Sequence, residues 1–313
     1  MTINLSQEAF IDHLCHLADL GGDEINSVPT PYRSGFPVDS IPDLQTKDES
    51  IIKKMQSYVG SLNWLSTSTR PDVATITNIM AKYMAKPTSH HISYIRRIIR
   101  YLKGTKTLGI SFSTISNDRL NAYVKFPIPE DKITALSDAN WGPQDQSKPK
   151  PNEARQLDLF KSRSISGYIL WFCGPLHWMS KRQTITARSS AEAEIYATDE
   201  CVKCLQHLLH LTDGLAVTHE VFETPTIIYN DNAACVQWSK NTTTKGLRHI
   251  QIRENAVREL TQQGIIELKH IAGKLNVSDM FTKEEKSASH FISTRDYVLT
   301  DITHNIPKTS PTA

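Results

Sequence analysis

No run of apolar residues in this sequence approaches the roughly 20 residues that a membrane-spanning helix needs. The amino-terminal stretch carries Glu8, Asp12 and His13 where a secretion signal would be basic and then apolar. Cysteine is scarce, and its five residues are thinly scattered, which is typical of reduced thiols and not of a disulfide framework. These absences predict an intracellular protein, cytoplasmic or nuclear, that has no membrane partner.

The composition is that of an ordinary globular protein, but its charge is unevenly distributed. The 313 residues allow one large or two ordinary domains, with 39% hydrophobic and 22% charged residues. The formal net charge of +2 conceals an acidic start, because residues 1–50 hold nine acids and two bases. Residues 51–113 hold ten Lys and Arg, against Asp72 as the single acid. This basic segment predicts contact with phosphates, and a solvated cationic surface is the alternative.

The first third of the chain has the pattern of a helical region. Apolar residues at three- and four-residue steps predict helices over Leu5–Leu20, Lys54–Leu65, residues 71–84 and residues 88–104. Residues 26–49 are rich in Pro, Ser and Asp, which predicts an extended linker. The last of these helices has a cationic row beside its apolar face, formed by Arg96, Arg97, Arg100 and Lys103. We expect this row to follow a nucleic-acid backbone, and a solubilising surface is the alternative.

Beyond an irregular stretch over residues 114–131, the pattern predicts an α/β domain. Strands are predicted at residues 133–138, 166–173, 176–181, 226–229 and 265–271. Helical segments between them give the order β-β-β-α-β-α-α-β-α, with Gly264 before the final strand and a last helix from Val277 onward. Residues 143–157, which are polar and contain three prolines, are predicted to form a loop, and residues 305–313 a disordered tail.

The predicted helix over Arg188–Leu211 carries two acids that we expect to have different roles. Ser189 and Glu192 have the spacing of a capping box, so Glu192 has a local role at the start of the helix. Glu194 has no such role, and it lies close to the apolar side of the helix, where a carboxylate is costly unless a cation meets it. We therefore expect Glu194 to face a positively charged partner.

Three aspartates are predicted to lie near Glu194. Asp138 ends the first strand, Asp231 directly follows the strand sequence TIIYN, and Asp279 begins the last helix. Strand ends and helix starts form a crevice at one edge of a sheet, where four carboxylates repel one another unless divalent cations intervene. Oxygen ligands without nearby Cys or His favour Mg²⁺ or Mn²⁺, and two such ions are typical of phosphodiester chemistry. Each of these acids, taken singly, also fits a capping or surface residue.

The motifs around these acids resemble those of the ribonuclease H domain of copia-type (Ty1/copia) retrotransposon Pol polyproteins. They follow that family's order: LSDANWG, SRSISGYILWFCGPLHWMSKRQ, SSAEAE, YNDNAA, RHIQIRENAVRE and HIAGKLNVSDMFTK. Upstream, INLSQEAFI, YVGSLNWLSTSTRPDV and RYLKGT resemble the end of that family's reverse transcriptase. The resemblance extends over most of the chain.

The resemblance implies a fold and a domain organisation. The fold is a ribonuclease H-like mixed five-stranded sheet with helices, preceded by a mainly helical reverse-transcriptase thumb or connection region. The implied parts are the end of the palm region with a linker over residues 1–50, the helical region over 51–113, the ribonuclease H-like domain over 131–300 and a disordered tail over 301–313.

The resemblance also implies a reaction, which is endonucleolytic hydrolysis of the RNA strand of an RNA–DNA hybrid. It gives Asp138, Glu194, Asp231 and Asp279 the role of ligands for two Mg²⁺ ions, with Mn²⁺ as an alternative. His270 is expected to assist proton transfer or product release. The polymerase's paired aspartates are absent, since no Asp-Asp occurs in the sequence. We therefore expect a part of a larger polyprotein, with the rest of the reverse transcriptase as a partner, or a genomic remnant of one.

Three other functions compete with this interpretation. Integrase-type polynucleotidyl transferases use the order Asp, Asp, Glu, whereas the order here is Asp, Glu, Asp, Asp, which favours ribonuclease H. A catalytically silent remnant that binds nucleic acid remains open. A zinc site on one helix is disfavoured, because Cys201, Cys204, His207 and His210 would spread over about 13 Å of helix and could not surround one ion.

Overall fold

The computed structural model describes residues 2–22, 26–32, 48–113, 132–142, 163–214, 225–240, 253–284 and 287–305. The predicted loop at 143–157, the irregular stretch at 114–131, most of the predicted linker and the end of the tail lie outside these ranges. The chain divides into two compact units. The first is drawn from Met1–Leu120, Cys173–Pro175 and Glu284–Ala313, and the second from Asn121–Phe172 and Leu176–Lys283.

The first unit is mainly helical and contains a small three-stranded sheet. Its helices are α1 (Glu8–Leu17), α2 (Glu49–Ser68), α3 (Ala74–Ala81), α4 (Ser89–Gly104) and, late in the chain, α8 (Ala288–Val298). The strands are β1 (Thr2–Leu5), β2 (Leu108–Ser113) and β8 (Thr300–Asp301), with β2 in the centre and antiparallel to both neighbours. The prediction that Leu5 begins a helix is wrong, because Leu5 pairs with Ile110 in the sheet.

Local chemistry explains where the cationic helix α4 begins. The Thr88 hydroxyl accepts from the His91 main-chain N–H, and the His91 ring accepts from the Thr88 N–H, which forms a capping box. One face of α4 is buried, including Ile95, Ile98 and Leu102.

None of the helices in the described part of the chain combines the length and apolar character that a bilayer crossing requires.

The second unit is built on a mixed five-stranded sheet. Its strands are β3 (Thr134–Asn140), β4 (Ile165–Trp171), β5 (Pro175–Arg182), β6 (Thr226–Asn230) and β7 (Ile266–His270), in the spatial order β5-β4-β3-β6-β7. β3 runs antiparallel to β4 and parallel to β6, and β6 runs parallel to β7. This arrangement confirms the predicted α/β class with a mixed five-stranded sheet.

Three helices accompany this sheet: α5 (Ser190–Gly214), α6 (Ala233–Lys240) and α7 (Arg253–Gln262). A continuous apolar core joins them to the strands, with Leu170, Ile228 and Leu268 from the sheet and Leu205 and Val257 from the helices, each fully buried. β4 is buried along its whole length, which explains why consecutive apolar residues fill its second half, Tyr168–Trp171. The sheet is therefore a rigid support for the residues at its ends.

The predicted order of elements holds up to the end of β7, and the last helix differs. Val277 does not start an α-helix, because residues Val277–Phe281 form a short 3₁₀ turn. The α-helix that follows, α8, begins only at Ala288 and belongs to the first unit. The compact second unit thus ends at Lys283, whereas the expected domain extended to residue 300.

Candidate active site

Strand register brings Asp138 and Asp231 together. In the parallel pair β3–β6, Ser137 is opposite Asn230, so the next residue on each strand is one of the two aspartates. The carboxyl ends of neighbouring parallel strands open onto one edge of the sheet. Asp138 is 1% exposed, and Asp231 is half-buried.

Asp279 reaches the same edge from the 3₁₀ turn Val277–Phe281. The Asn276 side chain caps this turn by accepting from the Ser278 main-chain N–H, and its amide donates to the Ser137 carbonyl at 3.1 Å. Gly167, opposite Asp138 on β4, leaves room for the turn, since a Cβ there would lie 2.6 Å from the Phe281 Cβ. The turn is therefore held against two strands, by a hydrogen bond to Ser137 of β3 and by close packing on Gly167 of β4.

The three aspartates form one cluster. Carboxylate oxygens of Asp138, Asp231 and Asp279 all lie within 4.8 Å of one another. Asp138 Oδ2 accepts from the Thr282 hydroxyl, whereas buried Asp138 Oδ1 has no hydrogen-bond partner among the described residues. Close carboxylates with a buried oxygen left unpaired fit a hard divalent cation, because such an ion offsets both the repulsion and the missing partner.

Glu194 lies beside this cluster but is not one of the three. It is 5% exposed, and its Oε2 accepts from the Asn230 amide at 3.0 Å. The same amide donates to the Ser137 carbonyl and hydroxyl. Asn230 therefore connects Glu194 on α5 to the strand that carries Asp138.

Burial and mutual repulsion raise the pKa of every acid at the site. The pKa of Asp138 is raised to about 6, by burial first and then by the charge of Asp279. The pKa of Glu194 is raised to about 9, by burial first and then by the charge of Asp138. Burial also raises the pKa of Asp231 and of Asp279. Such shifts are typical of carboxylates that are held together for a bound cation or for proton transfer.

A lysine that the sequence interpretation missed lies against the cluster. Lys283 Nζ is 2.8 Å from Asp279 Oδ1 and 3.5 Å from Asp138 Oδ2. Burial lowers the pKa of Lys283, but the charges of Asp138 and Asp279 outweigh it, so the net shift is upward. The four-residue step from Asp279 to Lys283 was the available signal, because residues at that spacing meet when the chain turns helically.

His270 ends β7, and its side chain is exposed. Its Nε2 donates to the main-chain carbonyl of Asp231 at 3.1 Å, so the ring lies next to the loop that carries this aspartate. Gly273 approaches from the same side, since a Cβ there would lie 3.0 Å from Asp231 Oδ2. Small size at position 273 thus leaves space beside the carboxylate.

The four basic residues of α4 lie in the first unit, where each contacts another part of the same chain. Arg97 Nε donates to the Tyr32 carbonyl at 2.8 Å, and Arg100 Nε to the Asn26 carbonyl at 2.7 Å. Lys103 Nζ donates to the carbonyls of Leu20, at 3.1 Å, and of Gly22, and Arg96 lies 3.9 Å from Asp19. These contacts give the cationic row a role in holding residues 19–22 and 26–32, and its contact with nucleic acid stays a prediction.

The sheet and its acidic edge define an α/β unit with a candidate cation site at its strand ends. The sequence is 29% identical over 230 residues to the retrovirus-related Pol polyprotein from transposon RE1 of Arabidopsis thaliana, covering 73% of this chain and 14% of that protein. It is 24% identical over 282 residues to the corresponding polyprotein from transposon TNT 1-94 of Nicotiana tabacum, covering 89% of this chain and 19% of that protein.

The predicted resemblance is thereby confirmed, because these homologues are Pol polyproteins of copia-type transposons. The chain spans less than a fifth of the length of either relative. No protein-family model matches the sequence. Among solved structures, LC11-RNase H1, isolated from compost, is similar to 49% of this chain and 93% of its own, with 14% identity and a TM-score of 0.33. The fold described above rests on the strand pairing and not on this likeness.

Proposed function

We propose that the second unit is a ribonuclease H-type nuclease that hydrolyses the RNA strand of RNA–DNA hybrids with a divalent metal. The observation that carries the proposal is the cluster of Asp138, Asp231 and Asp279, in which buried Asp138 Oδ1 has no hydrogen-bond partner within the described part of the chain. The similarity to transposon Pol polyproteins supports the same class of function. The proposed ion is Mg²⁺, present as two ions, with Mn²⁺ as an alternative, because every ligand is a carboxylate oxygen.

Each residue at the site has a proposed role. Asp138, Asp231 and Asp279 hold the ions, and Glu194 is the fourth ligand, oriented by the Asn230 amide. Bound divalent ions supply activation of the attacking water and stabilisation of the leaving oxygen in phosphodiester hydrolysis. Preference for RNA would come from contacts to the 2′-hydroxyl.

His270 is proposed to move protons or to help release the product. Its exposed ring and its hydrogen bond to the Asp231 carbonyl support a position at the rim of the site. We propose no DNA synthesis by this chain, since the sequence contains no paired aspartates. The rest of a reverse-transcriptase polyprotein remains the proposed protein partner.

The test is cleavage of a labelled RNA–DNA hybrid by the purified chain with Mg²⁺ or EDTA. We expect cutting only with the metal, and a loss of at least about a hundredfold in Asp231→Asn and Glu194→Gln, because metal charge stabilisation is worth several kcal/mol. Glu192→Gln is the matched control, since Glu192 accepts from the Arg188 main-chain N–H at the start of α5 and retains no role at the cluster.

Two outcomes would replace the proposal. A folded protein that binds the hybrid with no cutting in Mg²⁺ or Mn²⁺ would favour the catalytically silent remnant. Joining of DNA ends to a target duplex, with the hybrid left intact, would favour the integrase-type transferase. Single-stranded RNA and duplex DNA are included as substrates, because cutting of either at the same rate would contradict the proposed preference for a hybrid.

A further inference from the structure

Lys283 places a positive charge where a metal ion would have to compete with it. Its ammonium lies 2.8 Å from Asp279 and 3.5 Å from Asp138, two of the three clustered aspartates. These are short contacts to carboxylates that are buried or nearly so, with the side chain of Asp138 1% exposed and that of Asp279 18%. A charge pair in this setting is stronger than one at the surface, because water screens it less.

We propose that Lys283 is a resident counter-ion, which competes with divalent cations for Asp138 and Asp279 and so sets the ion affinity of the site. This inference rests on the proposed function, because it takes the cluster to be the metal site. Lys283 donates a hydrogen bond to Asp279 Oδ1 and forms an ion pair with Asp138 Oδ2, which the Thr282 hydroxyl also contacts. Asp138 Oδ1 has no hydrogen-bond partner among the described residues, so the lysine neutralises the cluster only in part.

The side chain of Lys283 can move away from the two aspartates into water. It is 39% exposed, and an ammonium on a four-carbon stem is a strongly hydrated point charge that can move to water without disturbing the core. Thr282 differs, because its hydroxyl is buried and its contact with Asp138 holds the strand and the turn together. Neighbouring residues thus provide one fixed contact and one exchangeable contact to the same carboxylate.

Competition and a purely structural ion pair predict opposite changes in ion affinity when Lys283 is removed. If Lys283 only stabilised the turn, its removal would loosen the cluster and weaken ion binding. If it competes, its removal strengthens ion binding even though the metal-free protein becomes less stable. The sign of the change in ion affinity therefore separates the two roles.

The test is the dissociation constant for Mn²⁺, measured on the free protein by electron paramagnetic resonance of the unbound ion. We expect Lys283→Met to bind Mn²⁺ at least about fivefold more tightly than the wild type, the lower end of couplings between ligands of one site. Lys283→Gln is the second neutral variant and should agree with it. Lys283→Arg keeps the charge and should stay close to the wild type.

Lys203→Met is the matched control. Lys203 pairs with Asp199, whose side chain is 3% exposed, at 2.5 Å on α5, so this variant also removes a lysine from a buried acid. It should lower stability without raising Mn²⁺ affinity. Folding of every variant is checked by circular dichroism with and without Mn²⁺, and affinities are compared among variants that are folded without the ion.

Unchanged or weaker Mn²⁺ binding in both neutral variants would overturn the proposal. Cleavage of the hybrid is measured separately, so the two failures are distinguishable. A wild type that binds Mn²⁺ at the cluster and never cuts the hybrid would contradict the proposed function and leave the competition intact. Tight Mn²⁺ binding that survives Asp231→Asn would instead show that the ion binds elsewhere.

Discussion

Glu192 and Glu194 are two positions apart on α5, and their surroundings give them opposite tasks. Glu192 Oε2 accepts from the Arg188 main-chain N–H at 2.6 Å, and the Glu192 N–H donates to the Ser189 hydroxyl. Glu194 instead reaches the acidic cluster, where its contact with Asn230 holds it beside Asp138. A rotation of half a turn along one helix therefore separates a capping residue from a candidate ligand.

The raised pKa of Glu194 predicts the pH dependence of stability without metal. Its pKa rises from an ordinary value of 4.5 to about 9 in the folded protein, mainly through burial, so the folded state binds the proton more tightly than the unfolded chain does. Stability is then highest below the unfolded pKa and falls as the pH rises towards 9. Asp138 adds to the fall between about 4 and 6.

The measurement is urea unfolding in EDTA at pH 5 and pH 8.5. The free energy of unfolding of the wild type should fall between pH 5 and pH 8.5. We expect this fall to be smaller in Glu194→Gln by at least about 1 kcal/mol, roughly the free energy of one pKa unit. Glu192→Gln is the control for replacing a carboxylate of the same helix, and it should lower stability at both pH values because its contact with the Arg188 N–H is weakened. Parallel curves for the wild type and Glu194→Gln would contradict the assignment.

At the scale of elements, the turn Val277–Phe281 depends on Gly167. A Cβ at this position would lie 2.6 Å from the Phe281 Cβ and 2.7 Å from Thr282 Cγ2, inside the distance that carbon atoms tolerate. Gly167→Ala must therefore push the turn away from β4, and Asp279 with it. We expect a loss of about 1–3 kcal/mol of stability, as for other overpacked sites.

Urea unfolding measures this loss, and hybrid cleavage in Mg²⁺ should fall in the same variant because Asp279 is displaced. Gly60→Ala is the matched control. Gly60 lies inside α2, and nothing is within 4 Å of the position of its Cβ. That substitution should raise stability by roughly 0.5–1 kcal/mol, since alanine favours the helix. A neutral Gly167→Ala would show that the turn does not pack as closely as described.

At the scale of the whole molecule, the basic residues of the first unit predict how binding responds to salt. If the cationic row contacts the nucleic-acid backbone, the logarithm of the binding constant falls linearly with the logarithm of the salt concentration. Arg100→Ala should then reduce the magnitude of this slope by about 1, which corresponds to one lost phosphate contact.

Fluorescence anisotropy of a labelled hybrid over a range of KCl concentrations measures the slope. Lys53→Ala is the control, because Lys53 lies on α2 with its side chain 78% exposed and, among the residues the structure describes, forms only a long pair with Glu49. Arg100 also donates to the Asn26 carbonyl, so the opposite result has a structural meaning. An unchanged slope with lower stability would show that Arg100 only holds the segment 26–32.

Local patterns accounted for much of this protein. Periodicity predicted the strands of the second unit and their order along the chain, because alternating and helical burial leave direct marks on a sequence. The cap by Ser189 was equally predictable, since its hydroxyl accepts from the Glu192 N–H three residues later. The Glu192 carboxylate differs from a full capping box, because it accepts from the Arg188 N–H and not from that of Ser189. Their positions at strand ends and helix starts single out the four acids, and motif resemblance implies their role as metal ligands.

Only the tertiary structure decided which groups meet. The strand β1 was hidden from the sequence because its partner, β2, lies about a hundred residues away. The carbonyls that meet Arg97 and Arg100 are 65 and 74 residues distant, so no local pattern announces them. The contact of Lys283 with Asp138 and that of Asn230 with Glu194 have the same origin, since they depend on how the turn, the helix and two strands come together. Sequence patterns specify elements and candidate residues, whereas charge contacts between distant segments exist only after the chain has folded.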